Sequence, residues 1–156
     1  MLIRPAGAHD IEATAAVAAA AYQGAFAAIL EPAVLAVYDA GFFAKRFAAT
    51  LDRLRLAVNE SAVLGFCVMT HAHIDMLFIA PAAQGSGAGS ALLRDAERRG
   101  ARSLECFAAN MPARRFYERR GWRVTDAYRR ALGGVQQRFV WYEVTTGQQG
   151  SAGQGP

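Results

Sequence analysis

Three glycines in five residues, Gly85, Gly87 and Gly89, separate an apolar run ending at Ile79 from a helix-forming run that begins near Gly87. Glycine takes positive φ without a Cβ penalty and lets a backbone come close to a ligand. The helix that follows offers unpaired N–H groups and a partial positive charge, a combination suited to a pyrophosphate. Three phosphate-binding patterns compete for such a turn. A P-loop needs Gly-Lys-Ser/Thr, and the loop carries no lysine. A dinucleotide fingerprint wants Gly or Ala where Ser90 stands, and it usually opens a domain, whereas this turn lies past the middle of the chain. The third pattern, Gln/Arg-x-x-Gly-x-Gly/Ala, is met by Gln84, Gly87 and Gly89. A plain flexible loop is the remaining alternative.

The rest of the chain reads as helices between strands. Leu2–Pro5 is a short strand, and Asp10 is placed to cap an alanine-rich helix that Gly24 interrupts. A second helical stretch runs from Pro32 to about Leu51, with a break at Gly41. Leu54–Val58, Val63–Thr70 and Ile74–Ile79 have strand character, the first two joined by a turn at Asn59-Glu60-Ser61. A helix follows from about Gly87 to Arg99, then a strand Ser103–Phe107 and a helix Pro112–Arg120 stopped by Gly121. Val124–Tyr128 and Arg138–Val144 form a closing strand pair. The order predicts a single α/β (α+β) domain over residues 1–146, a layered α/β/α arrangement on a mixed sheet. From Gly147 to Pro156 the composition is that of a Gly/Gln-rich tail.

Composition narrows the function classes. A chain of 156 residues buries enough surface to fold without a metal or disulfide staple. Its net charge of +4 favours anionic ligands but is too small, and too poor in interleaved aromatics, to indicate nucleic acid. The uncharged stretch from Ala13 to Leu30 is mostly alanine and carries Thr14, Gln23 and Gly24, so it reads as a helix of a soluble protein and not as a membrane segment. Cys67 and Cys106 lie in apolar runs, as buried free thiols do, which fits a reducing, cytoplasmic setting. His71, His73 and Asp75 offer two histidines and a carboxylate. The turn at His71-Ala72 breaks their alternation and no further ligand is evident, so no metal is expected.

The loop and two further segments together resemble the GNAT superfamily of N-acetyltransferases. The Gln84–Ser90 turn matches the family's pyrophosphate loop, and the run His73–Pro81 looks like its fourth strand. Asn110 followed by Phe116-Tyr117-Glu118-Arg119-Arg120-Gly121-Trp122 is similar to its second CoA segment, with Trp in the last place. The likeness is good from about Val58 to Trp122, and beyond that holds only in the order of elements. Gln84 stands where arginine is commoner, and Ser86 where a basic residue often sits.

The resemblance implies a splayed central sheet of about six to seven strands and acetyl-CoA as co-substrate, held between the fourth and fifth strands. Backbone groups of Phe78 and Ile79 would hold the pantetheine arm and the acetyl carbonyl. The amides of Gln84, Gly85, Ser86, Gly87, Ala88, Gly89 and Ser90 would hold the pyrophosphate. Asn110 would bond the pantetheine, Phe116 would line it, and Ala113 would leave room beside it. Tyr117 takes the place of the family's general acid, with a core aromatic as the alternative. His73 and Asp75 fall where other branches carry the base; Asp75 is equally readable as a hydrogen-bonding strand residue. Glu105 reads first as structural. The arginines Arg114, Arg115, Arg119 and Arg120 are a solvated helix face or a contact for the 3′-phosphate of CoA. Tyr22, Phe26, Tyr38 and Phe42 lie where the family builds its acceptor pocket, or are core. The acceptor would be a small-molecule or peptide amine, and a homodimer is one expected state. A sensor that binds acyl-CoA without transferring is the rival reading.

Overall fold

The computed structural model describes residues 1–145; the expected tail, 147–156, lies outside the described residues. The chain divides into two compact units, residues 1–101 and residues 102 onward. The first unit holds β1 (Leu2–Pro5), α1 (Ile11–Phe26), α2 (Pro32–Leu35), α3 (Ala40–Ala49), β2 (Leu54–Val58), β3 (Val63–Thr70), β4 (His73–Ile79) and α4 (Ala88–Arg98). The second holds β5 (Ser103–Phe107), α5 (Met111–Arg119), β6 (Arg123–Leu132) and β7 (Val135–Glu143). Seven strands with helices between them give the α/β class the sequence implied.

In the first unit β1, β2, β3 and β4 pair antiparallel in chain order. Side chains alternate across a strand, so each strand feeds two layers. Leu54, Leu56, Phe66, Val68 and Met76 pack with Ala15 and Ala18 of α1 and with Phe43 and Phe47 of α3. The intervening positions face α4: a Cβ on Gly65 would lie 3.2 Å from Leu92 Cδ1, and Arg55 of β2 bonds Asp95 of α4 with Nε at 3.1 Å and Nη2 at 2.9 Å. The first unit is therefore a three-layer α/β/α sandwich. Alanines on α1 let the helix lie close to the sheet, and the bulk of the core comes from phenylalanines on the partner elements.

Two glycines do not act as the sequence suggests. Gly24 lies within α1, and Gly41 lies within α3. A helical glycine costs about 1 kcal/mol, less than the packing of Phe26 and Phe43 supplies. The interruption falls between α2 and α3, where Asp39 Oδ1 accepts from Phe42 N at 2.8 Å and caps α3. In the second unit β5 pairs with β7 and β7 with β6, all antiparallel. The closing pair is longer than the sequence implies, meeting across a turn at Gly133 and Gly134, both with positive φ. Tyr117, Trp122 and Tyr142 pack together beneath α5.

Asp10 ties the amino-terminal strand to α1. Its carboxylate accepts from both terminal nitrogens of Arg4, at 2.8 and 3.0 Å, and from Gly7 N at 2.8 Å, so it braces the turn before α1 and does not cap the helix with its side chain. The hydrogen bonds from Arg4, first among the causes, draw the Asp10 carboxyl down to about 2. Its folded value lies below the ordinary carboxylate value of about 3.9, so the stabilisation is fully present above that pH and is lost as pH falls toward about 2. Asp10→Asn should lower the unfolding free energy at pH 7 by about 2 kcal/mol in urea titrations. The gap to the wild type should close between pH 4 and pH 2. A gap that persisted at pH 2 would assign the loss to packing and not to charge.

Candidate active site

β4 is the outer strand of the first unit, paired only with β3 within that unit. Ala80 N donates to Leu64 O at 2.8 Å, and bonded and non-bonded pairs alternate along an antiparallel ladder. Phe78, opposite Phe66, therefore turns its N–H and C=O toward β3, while those of Leu77 and Ile79 face away. The sequence reading chose Phe78 and Ile79; the pairing register selects Leu77 and Ile79, which strand alternation alone would have grouped. The Phe78 ring lies 5.8 Å from that of Tyr22 and 5.9 Å from that of Phe26 between centroids.

Beyond Ile79 the chain makes a single 3-10 turn, Pro81–Ala83, and enters the glycine segment. Gly85 (φ 81°) and Gly87 (φ 89°) both adopt the left-handed region, and a Cβ at either would meet nothing within 4 Å. The glycines are thus required by conformation and leave an open approach to the backbone. Ser86 N donates to Ala83 O at 3.1 Å, and Ala88 N to Ser86 Oγ at 3.3 Å. The side chain at Ser86 thus organises the turn, a part that a basic residue would not play. Gln84, Gly85, Ser86 and Gly87 are exposed, Ala88 is buried, and Gly89 and Ser90 are half-buried at the first turn of α4. That helix is held from below by Leu92, Leu93 and Ala96, and by Asp95 between Arg55 and Arg99.

At the other end of β4, His71 takes φ 52° in the two-residue turn that joins β3 to β4. Thr70 pairs with His73 and Met69 with Ile74, but Val68 pairs with Met76, so Asp75 is the extra residue of a bulge. The two-residue period from Ile79 and Leu77 consequently does not carry through to His73. Asp75 Oδ2 accepts from Thr70 Oγ1 at 2.6 Å and lies 3.8 Å from Arg53 Nη1. Arg53 also bonds Thr70 Oγ1 and, at 3.3 Å, Met69 O. Asp75 therefore fastens the hairpin end, and His73 is half-buried beside it.

In the second unit, Asn110 stands at the start of α5 and its Oδ1 accepts from Ala113 N at 3.4 Å. Ala113 and Phe116 are half-buried, and Tyr117, 8% exposed, has its ring 5.2 Å from Phe116 and 5.9 Å from Tyr142. Arg114 does not face solvent alone: Nε donates to Tyr142 Oη at 3.1 Å and Nη1 to Ala108 O at 3.0 Å. Tyr142 Oη donates to Glu118, and burial followed by that bond pushes the phenol up to about 12. Arg120 lies over the Phe116 ring at 3.8 Å, and it is exposed together with Arg115 and Arg119. Glu105 accepts from Arg130 at 2.6 and 3.1 Å and from Tyr128 Oη at 2.5 Å, so its part is structural. Burial first, then the bond to Glu105, raises the Tyr128 phenol above its ordinary value. Burial likewise pushes both thiols, Cys67 and Cys106, up to about 12, which leaves neither as a nucleophile. Among the described residues no cluster of three or more His, Cys, Asp and Glu is placed to hold a metal ion, and no helix is long and apolar enough to cross a membrane.

The Acetyltransferase (GNAT) domain family matches residues 19–141. The chain therefore belongs to the GNAT acetyltransferases. Its fold is similar to a GCN5-related N-acetyltransferase from Rhodopseudomonas palustris (24% identity, 92% of this chain and 94% of that one, TM-score 0.72). It is also similar to apo YjaB from Escherichia coli (22%, 92% and 97%, TM-score 0.73). A third likeness is to the PaiA N-acetyltransferase from Thermoplasma acidophilum, solved with coenzyme A (19%, 92% and 98%, TM-score 0.67). Comparison with curated proteins gives no match.

The open space around Gly87 separates two effects of substitution. Gly87→Ala should cost about 1–2 kcal/mol of stability through left-handed strain alone, and Gly87→Asn less, because asparagine tolerates that region. Equal losses, read from urea midpoints, would point to a lost contact instead.

Proposed function

We propose that the protein is an acetyl-CoA-dependent N-acetyltransferase of the cytoplasm that transfers acetyl directly to a primary amine. The observation that carries this reading is the sequence of parts on the first unit. An outer strand with the backbone groups of Leu77 and Ile79 facing away from β3 runs into a left-handed glycine turn and then into the amino end of α4. A pantetheine arm is itself an amide chain and adds to a strand edge as a peptide does. The amides of Gln84 to Ser90 and the helix end suit the pyrophosphate that follows. Asn110, Ala113 and Phe116 on α5 are the residues of the second unit assigned to the pantetheine. The PaiA N-acetyltransferase, a neighbour in fold, was solved with coenzyme A, which supports coenzyme A chemistry as the ligand class.

Direct transfer forms a bond from the amine nitrogen to the acetyl carbon, breaks the C–S bond and leaves a thiolate. A lysine-like amine has a pKa of about 10.4, so presenting it neutral at pH 7 costs roughly 4.6 kcal/mol. His73, or a water it orders, is the group assigned to remove that proton, with Asp75 holding the hairpin that carries it. Tyr117 is assigned to protonate the thiolate. A phenol near pKa 10 giving a proton to a thiolate near 8.5 is uphill by about 2 kcal/mol, so Tyr117 assists without being indispensable.

Calorimetric titration with acetyl-CoA should give micromolar or tighter binding, matched by desulfo-CoA and absent with ATP. No binding would remove the reading. Tyr117→Phe should lower kcat at least about ten-fold while leaving acetyl-CoA affinity unchanged. An unaltered kcat at saturating substrate would take the acid role away from Tyr117.

A further inference from the structure

We propose that the outer edge of β6 pairs with the same edge of a second copy of this chain, antiparallel and centred on Tyr128. The resemblance makes a homodimer one expected state but gives it no surface, and the second unit supplies one. β6 is the outermost strand there, bonded to β7 alone among the described residues. It runs for 10 residues, most of them exposed. Asp126 and Arg130 are exposed on one face, and Ala127, Arg129 and Ala131 on the other. Outer strands are ordinarily blunted by proline, lysine, shortness or a covering element. β1, an outer strand of the first unit, is four residues long and ends at Pro5. β6 has no proline and no lysine, and its bulge at Thr125 leaves Asp126 to Leu132 in unbroken register. Two strands alone make a marginal ribbon, yet from Arg129 through Arg138 only Leu132 and Gln137 are even half-buried.

The hydrogen-bonding pattern decides which groups this edge offers. Ala108 N donates to Arg138 O at 2.9 Å and Val144 N to Arg102 O at 3.1 Å, so Arg138, Val140 and Tyr142 aim their backbone groups at β5. Gln137, Phe139 and Trp141 then aim theirs at β6, where they meet Arg130, Tyr128 and Asp126. The N–H and C=O of Ala127 and Arg129 are left pointing outward. Ala127 N accordingly donates to the Asp126 side chain, 2.8 Å from Oδ1. Outward-facing residues must meet outward-facing residues, which places the two-fold axis on a residue and not between two. Centred on Arg129 or Arg130, the pairing sets two arginines directly opposite each other, which is destabilising. A centre beyond them overlaps too little of the strand, and one at Ala127 draws the bulge into the ladder. Centred on Tyr128, the pairing sets Asp126 of each copy opposite Arg130 of the other, at the closer spacing of a non-bonded pair. Ala127 and Arg129 then exchange N–H···O bonds with Arg129 and Ala127 of the second copy. Glu105 already holds Arg130 by Nε at 3.1 Å and Nη2 at 2.6 Å, so the guanidinium is oriented before the partner arrives.

Sedimentation velocity on the full chain should show the mass of two chains at about 100 μM and dissociation on dilution. Ala127→Pro removes an N–H that β7 does not use, a change an outer strand tolerates, and should raise the dimer dissociation constant at least about ten-fold. Asp126→Lys, which faces Arg130 with a like charge, should do the same and stands in if the proline variant is unfolded. Tyr128→Cys reads the register. Cys67 and Cys106 are buried, so the introduced thiol is the accessible one. Only a pairing centred at 128 brings it within disulfide reach of its own copy. Diamide, which takes up the two protons and two electrons released, should convert this variant to covalent dimer at least about ten-fold faster than Ala131→Cys. A chain of single mass at about 100 μM overturns the proposal. So does a dimer that the folded variants leave unchanged, or equal crosslinking at the two positions.

Discussion

The close approach of β3 to β4 at Gly65 governs where the end of β4, the glycine turn and the start of α4 lie. A Cβ on Gly65 would sit 2.6 Å from Ile79 Cδ1 and 2.7 Å from Phe78 O, distances that real side chains do not tolerate. Only the missing side chain lets the end of β4 lie flat on β3 with Leu92 of α4 against the same spot. That contact fixes the direction in which the chain leaves the strand. The turn at Gly85 and Gly87 and the start of α4 follow from it, because a strand end displaced by an ångström would carry the following backbone amides with it.

Arginine holds much of the remaining framework. Arg4 clamps Asp10, Arg55 clamps Asp95, Arg130 clamps Glu105, and Arg114 bridges Ala108 and Tyr142. Arg4, Arg55 and Arg130 meet their carboxylates with two nitrogens each, which the planar guanidinium allows and an ammonium does not. The single lysine of the chain, Lys45, is exposed on α3. These arginines join helices to strands and strands to one another, while most of the basic residues stay exposed.

How legible these features were in the sequence depends on how local their causes are. The glycine turn and the helix after it follow from residues next to one another, and the sequence placed them within a residue or two. Asn110 heading α5 and Gly121 ending it were legible for the same reason. The hydrogen-bonding part of Asp75 was one of its two readings, but its bulge was not legible, since it exists only because β3 pairs with β4 in a shifted register. The backbone of Phe78, to which the resemblance gave a binding part, turns its N–H and C=O toward β3, again a matter of register. Gly24 and Gly41 looked like breaks because propensity is visible in sequence, while the packing that overrides it is not. The partners of Arg114 and Glu105, Tyr142 and Arg130, were hidden because they lie 28 and 25 residues away, although the structural part of Glu105 was legible.

The burial of the two cysteines has a practical consequence. With both thiols inside the apolar layers and held protonated, a thiol-reactive dye added to the folded chain finds no thiolate on the protein. Colour that develops during turnover then comes chiefly from coenzyme, with the buried thiols reacting slowly by comparison. The same dye added in denaturant reports two equivalents per chain. One reagent thus serves as an assay of catalysis and as a count of the fraction of molecules that are folded.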